Sequence, residues 1–86
     1  MKLRAHPLFE KDVKKLDKKD KEKLSGALRK IKENPTRYKS VKGIPNCFRL
    51  RIGNLRVVYM AKEAEIWILI VEKRKQVYKE MKKRLR

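Results

Sequence analysis

Apolar residues in the first third of the chain recur at the spacing of helices. One run consists of Leu24, Ala27, Leu28 and Ile31, which would share one face of a helix. Asn34-Pro35 would end this helix. An earlier run has the same period, begins near Pro7 and consists of Leu8, Phe9, Val13 and Leu16. Asp17 and Asp20 lie between the two runs and are candidate N-caps. The pattern predicts a two-helix hairpin with one apolar stripe, after a short strand at residues 3–5.

The second half of the chain has the pattern of strands. Residues 36–46 lack periodicity and include Gly43 and Pro45, so they are predicted to form a loop. Strands are predicted at residues 47–52, 55–61 and 65–71. Gly53-Asn54 would join the first two as a tight turn, because both residues tolerate the positive φ that such turns need. Residues 66–71 are apolar at every position, which indicates a central strand covered on both faces. A final helix is predicted at residues 74–85.

Together these elements predict an α+β fold. A small twisted antiparallel sheet of three to four strands would pack against the N-terminal two-helix hairpin, with a helix at the C-terminus. The chain has 86 residues, too few to divide an apolar core between two units. We therefore expect residues 1–86 to form a single domain. The uninterrupted apolar strand places Trp67 in the core.

The predicted hairpin brings three arginines together. A turn at Gly53-Asn54 sets Arg51 opposite Arg56, and the alternation of side chains places Arg49 on the same face. Like charges that face each other across a hairpin repel, and a bound anion would remove that repulsion. A solvated face of a basic protein is the alternative reading. Arginine at all three positions, in a chain otherwise rich in lysine, favours an anion site because its planar fork suits phosphate.

The charge of the chain narrows the classes of partner. Lys and Arg number 27 against 10 Asp and Glu, which gives a net charge of +17 and a field that attracts polyanions. Nucleic acid, an acidic protein and an anionic membrane surface all remain open at this point. No apolar run reaches the ~18 to 20 residues of a spanning helix, and no secretory signal pattern is present, so we expect a cytoplasmic protein without a membrane partner.

The residues that could hold a metal or form a disulfide are few. Cys47 is the only cysteine and His6 the only histidine, which leaves no disulfide and no zinc constellation, and the acidic residues are dispersed. No metal and no cofactor are therefore predicted. Tyr78 lies one helical turn after Arg74, and it is either a half-buried helix residue or a group that stacks on a base or handles a proton.

Two segments resemble the RelE/ParE superfamily of bacterial and archaeal toxins, the RelE branch in particular. The first is KGIPNCFRLRIGNLRVVY at residues 42–59, which is similar to the family's loop, basic strand, turn and "YR(V/L)VY" strand. The second is ILIVEKRKQVY at residues 68–78, which is similar to its last strand, basic turn and "VY". The likeness extends over nearly the whole chain.

This resemblance implies a type II toxin that cleaves messenger RNA in the ribosomal A site. RelE toxins do so without metal, by driving the ribose 2′-OH against the adjacent phosphate, and a RelB-like antitoxin neutralises them. By resemblance the catalytic residues are Arg56 at the scissile phosphate, Arg74 at the leaving group and Tyr78, which stacks on or orients the substrate. The residues that the resemblance implies to bind mRNA or ribosomal RNA are Lys42, Arg49 and Arg51. Lys73 and Lys75 are predicted to join them because they follow the last strand next to Arg74.

The chain also departs from the RelE pattern. Lysine is common in the family where Arg49 and Arg51 stand, and arginine stays protonated, so neither can be a general base. Tyr78 is the remaining candidate, but a phenol ordinarily titrates near ~10 and would need surrounding positive charge. Two other readings stay open: a ParE-like inhibitor of DNA gyrase, and a non-catalytic module that binds RNA or the ribosome.

Overall fold

A computed structural model describes residues 2–73 and 77–85 of the chain. Its elements, in order, are β1 (Lys2–Ala5), α1 (Phe9–Lys14), α2 (Lys18–Glu33), β2 (Lys39–Ser40), β3 (Cys47–Ile52), β4 (Leu55–Lys62), β5 (Glu65–Glu72) and α3 (Val77–Arg84). The strands form one sheet in the order β1-β5-β4-β3-β2. Strand β1 runs parallel to β5, and the other neighbours are antiparallel.

The helical hairpin forms as the apolar pattern predicts, with one shift at its start. Asp17 caps α2 by accepting a 2.8 Å hydrogen bond from the backbone N–H of Asp20. This bond lowers the pKa of Asp17 from its ordinary value. The ring Nδ1 of His6 accepts from the N–H of Leu8 at 3.1 Å, so the turn before α1 is held by the chain's lone histidine and the helix begins only at Phe9.

The hairpin covers one face of the sheet. Alternate residues of β4 and β5 meet the apolar stripe of α2 in one cluster, whose sheet members are Leu55, Val57, Tyr59, Ala61, Ile66, Ile68 and Val71. The buried Tyr59 hydroxyl donates to the carbonyl oxygen of Pro35 at 2.6 Å, and this bond ties β4 to the end of α2. The β3–β4 hairpin thus turns one apolar face towards the helices, with Phe48, Leu50 and Ile52 of β3 packed against the same cluster.

Helix α3 covers part of the opposite face. Its Val77 and Met81 are fully buried against a second cluster formed by Cys47, Val58, Leu69 and Ile70. The register of β4 and β5 explains why β5 can supply both clusters. Val58 pairs with Ile70 and Tyr59 with Ile68, so Leu69 is the extra residue of a β-bulge. The bulge turns Ile70 towards α3 while Ile68 faces the hairpin.

The class of the fold is the predicted one, but the sheet differs in detail from the prediction. It has five strands and is mixed, because β1 adds in parallel to β5 and β2 forms inside the predicted loop. The prediction of a core position for Trp67 is wrong. Its side chain is 39% exposed beside the edge strand, where the guanidinium carbon of Arg4 lies 5.8 Å from the ring centroid.

Candidate functional site

The turn at Gly53 fixes which side chains meet on the exposed face of the β3–β4 hairpin. Gly53 has φ of 61°, in the region that favours glycine, and Ile52 pairs with Leu55 across the turn. Arg51 consequently pairs with Arg56, as the sequence predicts, and Arg49 follows two residues away on the same face. The local turn chemistry is therefore what brings three guanidinium groups together.

These arginines line a cleft of about 440 Å³ between the β3–β4 hairpin and α3. We call it the arginine cleft, and its lining residues are Lys39, Arg49, Leu50, Arg51, Arg56 and Tyr78. Strands β2, β3 and β4 supply the basic residues, while α3 supplies the tyrosine. The structure thus brings together four of the residues singled out in the sequence.

Each arginine of the cleft is held by one end of its guanidinium. Arg51 donates from Nε to the carbonyl oxygen of Gly53 at 2.8 Å. Arg56 donates from Nη1 to the carbonyl oxygens of Lys73 at 2.6 Å and of Asn54 at 3.5 Å. Arg49 donates from Nη1 to the Tyr78 hydroxyl. Each guanidinium therefore keeps two of its three nitrogens without an acceptor in the described part of the chain.

Tyr78 is joined to the sheet through Arg49. The Arg49 Nη1 atom lies 2.6 Å from the Tyr78 hydroxyl oxygen, and the guanidinium carbon lies 5.7 Å from the centre of the ring. The hydroxyl accepts in this bond, so its own hydrogen can be donated to another group. The contact also fixes α3 over the arginine face, because Tyr78 lies one residue after the start of that helix.

The cleft arginines, Arg49, Arg51 and Arg56, form no salt bridge with a carboxylate of the described residues, 2–73 and 77–85. Unpaired cations repel one another, so a multivalent anion bound between them would be stabilised by all three. A phosphate group, with its planar pairs of oxygens, fits the free ends of the guanidinium forks.

The remaining residues singled out in the sequence lie elsewhere. The Lys73 ammonium forms a 2.7 Å salt bridge with Asp20, which raises the pKa of Lys73, so its side chain points to the start of α2 and not into the arginine cleft. Lys42 is exposed and lines an adjacent cleft. Arg74 and Lys75 lie outside the described residues.

Lys39 also lines the arginine cleft, although the sequence did not identify it as a site residue. Lys39 pairs with Arg49 across β2 and β3, so it extends the basic face by one strand. The local pattern gave no strand signal, because the two exposed residues Lys39 and Ser40 stand between the partly buried Tyr38 and Val41 and the period-2 alternation of a strand is absent.

Neither a metal centre nor a membrane segment is evident in the described residues. Within these ranges no group of three or more His, Cys, Asp or Glu side chains is arranged to hold a metal ion. None of the described helices has the length and apolar character needed to cross a bilayer. Burial raises the pKa of the Cys47 thiol to about 11, which makes it a packed core residue and not a nucleophile.

Comparison with known proteins gives a family match and several similar folds. Residues 3–78 match the family model described as the ParE toxin of type II toxin-antitoxin systems, parDE. The fold is similar to that of a double arginine-to-alanine mutant of the E. coli toxin RelE in the free state, with a TM-score of 0.83, 24% identity, and coverage of 99% of this chain and 97% of that one. No curated sequence is similar enough to count as a match.

Two further solved structures share the fold. The isolated E. coli RelE toxin has a TM-score of 0.76 and 25% identity, with coverage of 99% of this chain and 98% of that one. The toxin chain of the intact E. coli RelBE toxin-antitoxin complex has a TM-score of 0.76 and 22% identity, with coverage of 86% and 96%. The predicted resemblance to the RelE/ParE superfamily is thereby confirmed.

Proposed function

The chain belongs to the ParE toxin family of type II toxin-antitoxin systems, and we propose that it is the RelE kind of toxin, a metal-independent endonuclease that cleaves messenger RNA in the ribosomal A site. One observation carries this proposal. Arg49, Arg51, Arg56 and the hydroxyl of Tyr78 converge on one cleft, and none of these arginines forms a salt bridge among the described residues.

The reaction needs negative charge to be stabilised at one phosphorus atom. In this proposal the ribose 2′-oxygen loses its proton and attacks the adjacent phosphorus, and the bond from phosphorus to the 5′-oxygen breaks. A 2′,3′-cyclic phosphate and a 5′-hydroxyl result. The pentavalent phosphorane between them carries extra negative charge on its non-bridging oxygens. Preorganised cations aimed at those oxygens are the largest single contribution that a protein can make without a metal.

Arg56 is the residue best placed for this role. It stands between Arg51 on β3 and the end of β5, and its Nη1 atom is fixed by the carbonyl oxygen of Lys73 at 2.6 Å. A guanidinium held at one end presents the other end without further loss of side-chain entropy on binding. We assign Arg56 to the scissile phosphate and Arg49 and Arg51 to RNA contact and charge stabilisation.

Tyr78 is assigned to the orientation of the attacking ribose. Its hydroxyl accepts from Arg49 and can donate its own hydrogen to a ribose or phosphate oxygen. Because a guanidinium does not act as a base, the arginines bind and stabilise, while the proton of the 2′-OH passes to water and the departing 5′-oxygen takes a proton from water. Arg74 is proposed, by resemblance, to act at the leaving 5′-oxygen. Lys42, Lys73 and Lys75 are proposed to contact messenger or ribosomal RNA, Lys73 only after its ion pair with Asp20 opens.

The partners proposed are an antitoxin, messenger RNA and the ribosome, in the cytoplasm. Two of the similar E. coli RelE structures contain antitoxin, one the intact RelBE complex and one a RelB peptide. By analogy, a RelB-like antitoxin is proposed to neutralise this toxin. A net charge of +17 favours association with ribosomal RNA, which is a polyanion.

Inhibition of DNA gyrase is the second candidate function, because the matching family model is described as a ParE toxin. A gyrase inhibitor shares the fold but has no need of RNA-cleaving residues. The arginine cleft with its bonded Tyr78 is then unexplained, which favours the nuclease.

The deciding experiment adds purified toxin to ribosomes stalled on a defined message and maps 5′ ends by primer extension. We expect cleavage within the A-site codon, with a 2′,3′-cyclic phosphate at the 3′ end of the upstream fragment. Arg56→Ala should slow cleavage by about 10²- to 10³-fold, since one charge-stabilising donor is removed. Arg29→Ala is the matched control, because Arg29 is an exposed arginine of α2 that lines neither cleft.

A gyrase supercoiling assay run in parallel separates the two candidates. Intact messages together with inhibited supercoiling would replace the nuclease by the gyrase inhibitor. Binding to ribosomes with neither cleavage nor gyrase inhibition would reduce the protein to an RNA-binding module.

A further inference from the structure

A second cleft opens on the other side of Tyr78. It has a volume of about 380 Å³ and is lined by Lys39, Ser40, Val41, Lys42, Arg49, Tyr78 and Lys82. We call it the lysine cleft. Three of its residues also line the arginine cleft: Lys39, Arg49 and Tyr78. The two clefts are therefore adjacent, and these three side chains stand where one passes into the other.

The lysine cleft has the charge of an anion site. Lys39, Lys42 and Lys82 are exposed, and in the described part of the chain none of them forms an ion pair. They come from three different segments: β2, the following loop and α3. Three ammonium groups without a countercharge around one concavity favour the binding of a phosphate there, as the guanidinium groups do in the arginine cleft.

The lysine cleft also has an apolar wall. The Tyr78 ring and the side chain of Val41 line it together with the lysines. Val41 and Tyr78 both pack against the cluster beneath α3, so this wall is fixed and not a mobile surface side chain. A ring beside cations is the combination that single-stranded nucleic acid recognises, with stacking for a base and positive charge for the phosphate.

Lys82 is the residue that distinguishes this cleft from its neighbour. It follows Tyr78 by four residues on α3, so it lies on the same side of the helix, about 6 Å further along its axis. Lys82 lines only the lysine cleft, while Lys39 lines both. A strand of RNA that crosses Tyr78 from the arginine cleft would meet Lys39 first and Lys82 next.

We propose that the lysine cleft is a second nucleotide subsite, in which Lys39 and Lys82 hold the phosphate next to the scissile one. This inference rests on the proposed function, because it takes RNA as the occupant of the arginine cleft. An acidic protein segment would satisfy the same charges. RNA is favoured because the two clefts are continuous through three shared residues and because an aromatic ring lines the passage.

The test measures the affinity of 2′-O-methyl RNA oligonucleotides of one to four nucleotides at several salt concentrations. These probes lack the attacking hydroxyl and so are not cleaved. For the wild-type protein we expect affinity to rise when the second phosphate is added. Lys82→Ala should leave the affinity for the shortest probe unchanged and lower the affinity for the longer probes about two- to fivefold. It should also reduce the slope of log affinity against log salt by about 0.7, which corresponds to the loss of one phosphate contact.

The matched control is Lys83→Ala. Lys83 is an exposed lysine of the same helix that lines neither cleft, and its removal changes the net charge by the same amount. Lys83→Ala should bind probes of every length as the wild type does. The double variant Lys39→Ala, Lys82→Ala should weaken binding of the longer probes further, with the salt slope still reduced by about 0.7, because both lysines hold the same phosphate.

The outcomes separate this subsite from the proposed function. Equal losses in Lys82→Ala and Lys83→Ala would show a general effect of charge and overturn the subsite. Competition by polyglutamate as strong as that by RNA of equal charge would do the same, in favour of an acidic protein. Wild-type protein that binds no probe of any length would contradict RNA binding itself. Wild-type binding that Arg56→Ala weakens at every length, with Lys82→Ala unchanged, would retain the nuclease and remove only the subsite.

Discussion

The ion pair of Arg84 and Asp12 offers the sharpest test of how the cleft is held in place. Two parallel hydrogen bonds of 2.7 and 2.8 Å join the guanidinium to the carboxylate. Their side chains are 7% and 4% exposed, so the pair is buried. Arg84 lies near the end of α3 and Asp12 in α1. The pair therefore joins the helix that carries Tyr78 to the helical hairpin.

The Arg84–Asp12 pair also completes the hydrogen bonding of β5 beyond the point where the neighbouring strand β1 ends. Strand β1 stops at Ala5, opposite Ile68. Beyond that point the carbonyl oxygen of Leu69 accepts from Arg84 at 2.9 Å, and the N–H of Val71 donates to Asp12 at 3.1 Å. Two buried backbone groups thus depend on the two side chains.

Arg84→Met should destabilise the fold by about 3–5 kcal/mol, because it leaves the Asp12 carboxylate buried without its countercharge. Asp12→Leu should cost about as much for the opposite reason, since the buried guanidinium loses both short hydrogen bonds to the carboxylate and keeps only the weak ion contact with Glu80 at 3.9 Å. The double variant removes both charges and leaves only the two backbone groups of β5 unsatisfied, at about 1–3 kcal/mol each. We therefore expect about 2–6 kcal/mol for the double variant, well below the sum of the single ones.

Urea denaturation followed by circular dichroism at neutral pH measures these differences. Asp12 raises the pKa of Arg84 by hydrogen bonding, so the arginine is charged in both folded and unfolded chains at this pH. A domain of this size has a total stability of about 5–15 kcal/mol, so each single variant should show a large shift of its midpoint. A loss under about 1 kcal/mol for Arg84→Met, as for an exposed pair, or additive losses in the double variant, would refute the reasoning.

Three further predictions concern single side chains. Tyr78→Phe should lower kcat of cleavage at least about tenfold, because the hydroxyl bonded to Arg49 is lost, while KM changes little since the ring remains; steady-state kinetics on stalled ribosomes checks this. Tyr59→Phe should cost about 1 kcal/mol in urea denaturation, the contribution of its bond to Pro35. Cys47 should resist iodoacetamide at pH 8 until the protein unfolds, because burial raises the pKa of its thiol to about 11. Above pH 9 the unfolded chain loses this thiol proton first, so stability should fall from pH 9 to 11, and less in Cys47→Ala.

The parts of the fold that short-range patterns determine could be predicted from the sequence. Gly53 and Asn54 specify a two-residue turn, the turn specifies the register, and the register places Arg51 opposite Arg56. The same applies to α2, whose start at Asp17 and end at Asn34 follow from capping and from Pro35. The grouping of the arginines needed no knowledge of the rest of the chain.

The parts that depend on distant residues could not be predicted. The hydrogen bonds between Arg84 and Asp12 join residues 72 positions apart, and nothing near either residue in sequence indicates the other. Trp67 belongs to an unbroken apolar run, yet it is exposed because none of the described helices covers that part of the sheet and β1 lies beside it. Lys39 joined the cleft only because two residues of an apparent loop pair with β3.

The bulge at Leu69 connects these distant features. Without it β5 would continue its alternation, and Ile70 would face the hairpin instead of α3. The same irregularity lies where β1 has ended, at the backbone groups that Arg84 and Asp12 bind. One extra residue in β5 therefore has two effects. It turns Ile70 towards the apolar side of α3, and it leaves the backbone groups that bind Arg84 and Asp12 near the other end of that helix. Tyr78 lies at the start of α3, so the position of that helix determines its bond to Arg49. The boundary between the two clefts therefore depends on the position of the bulge at Leu69.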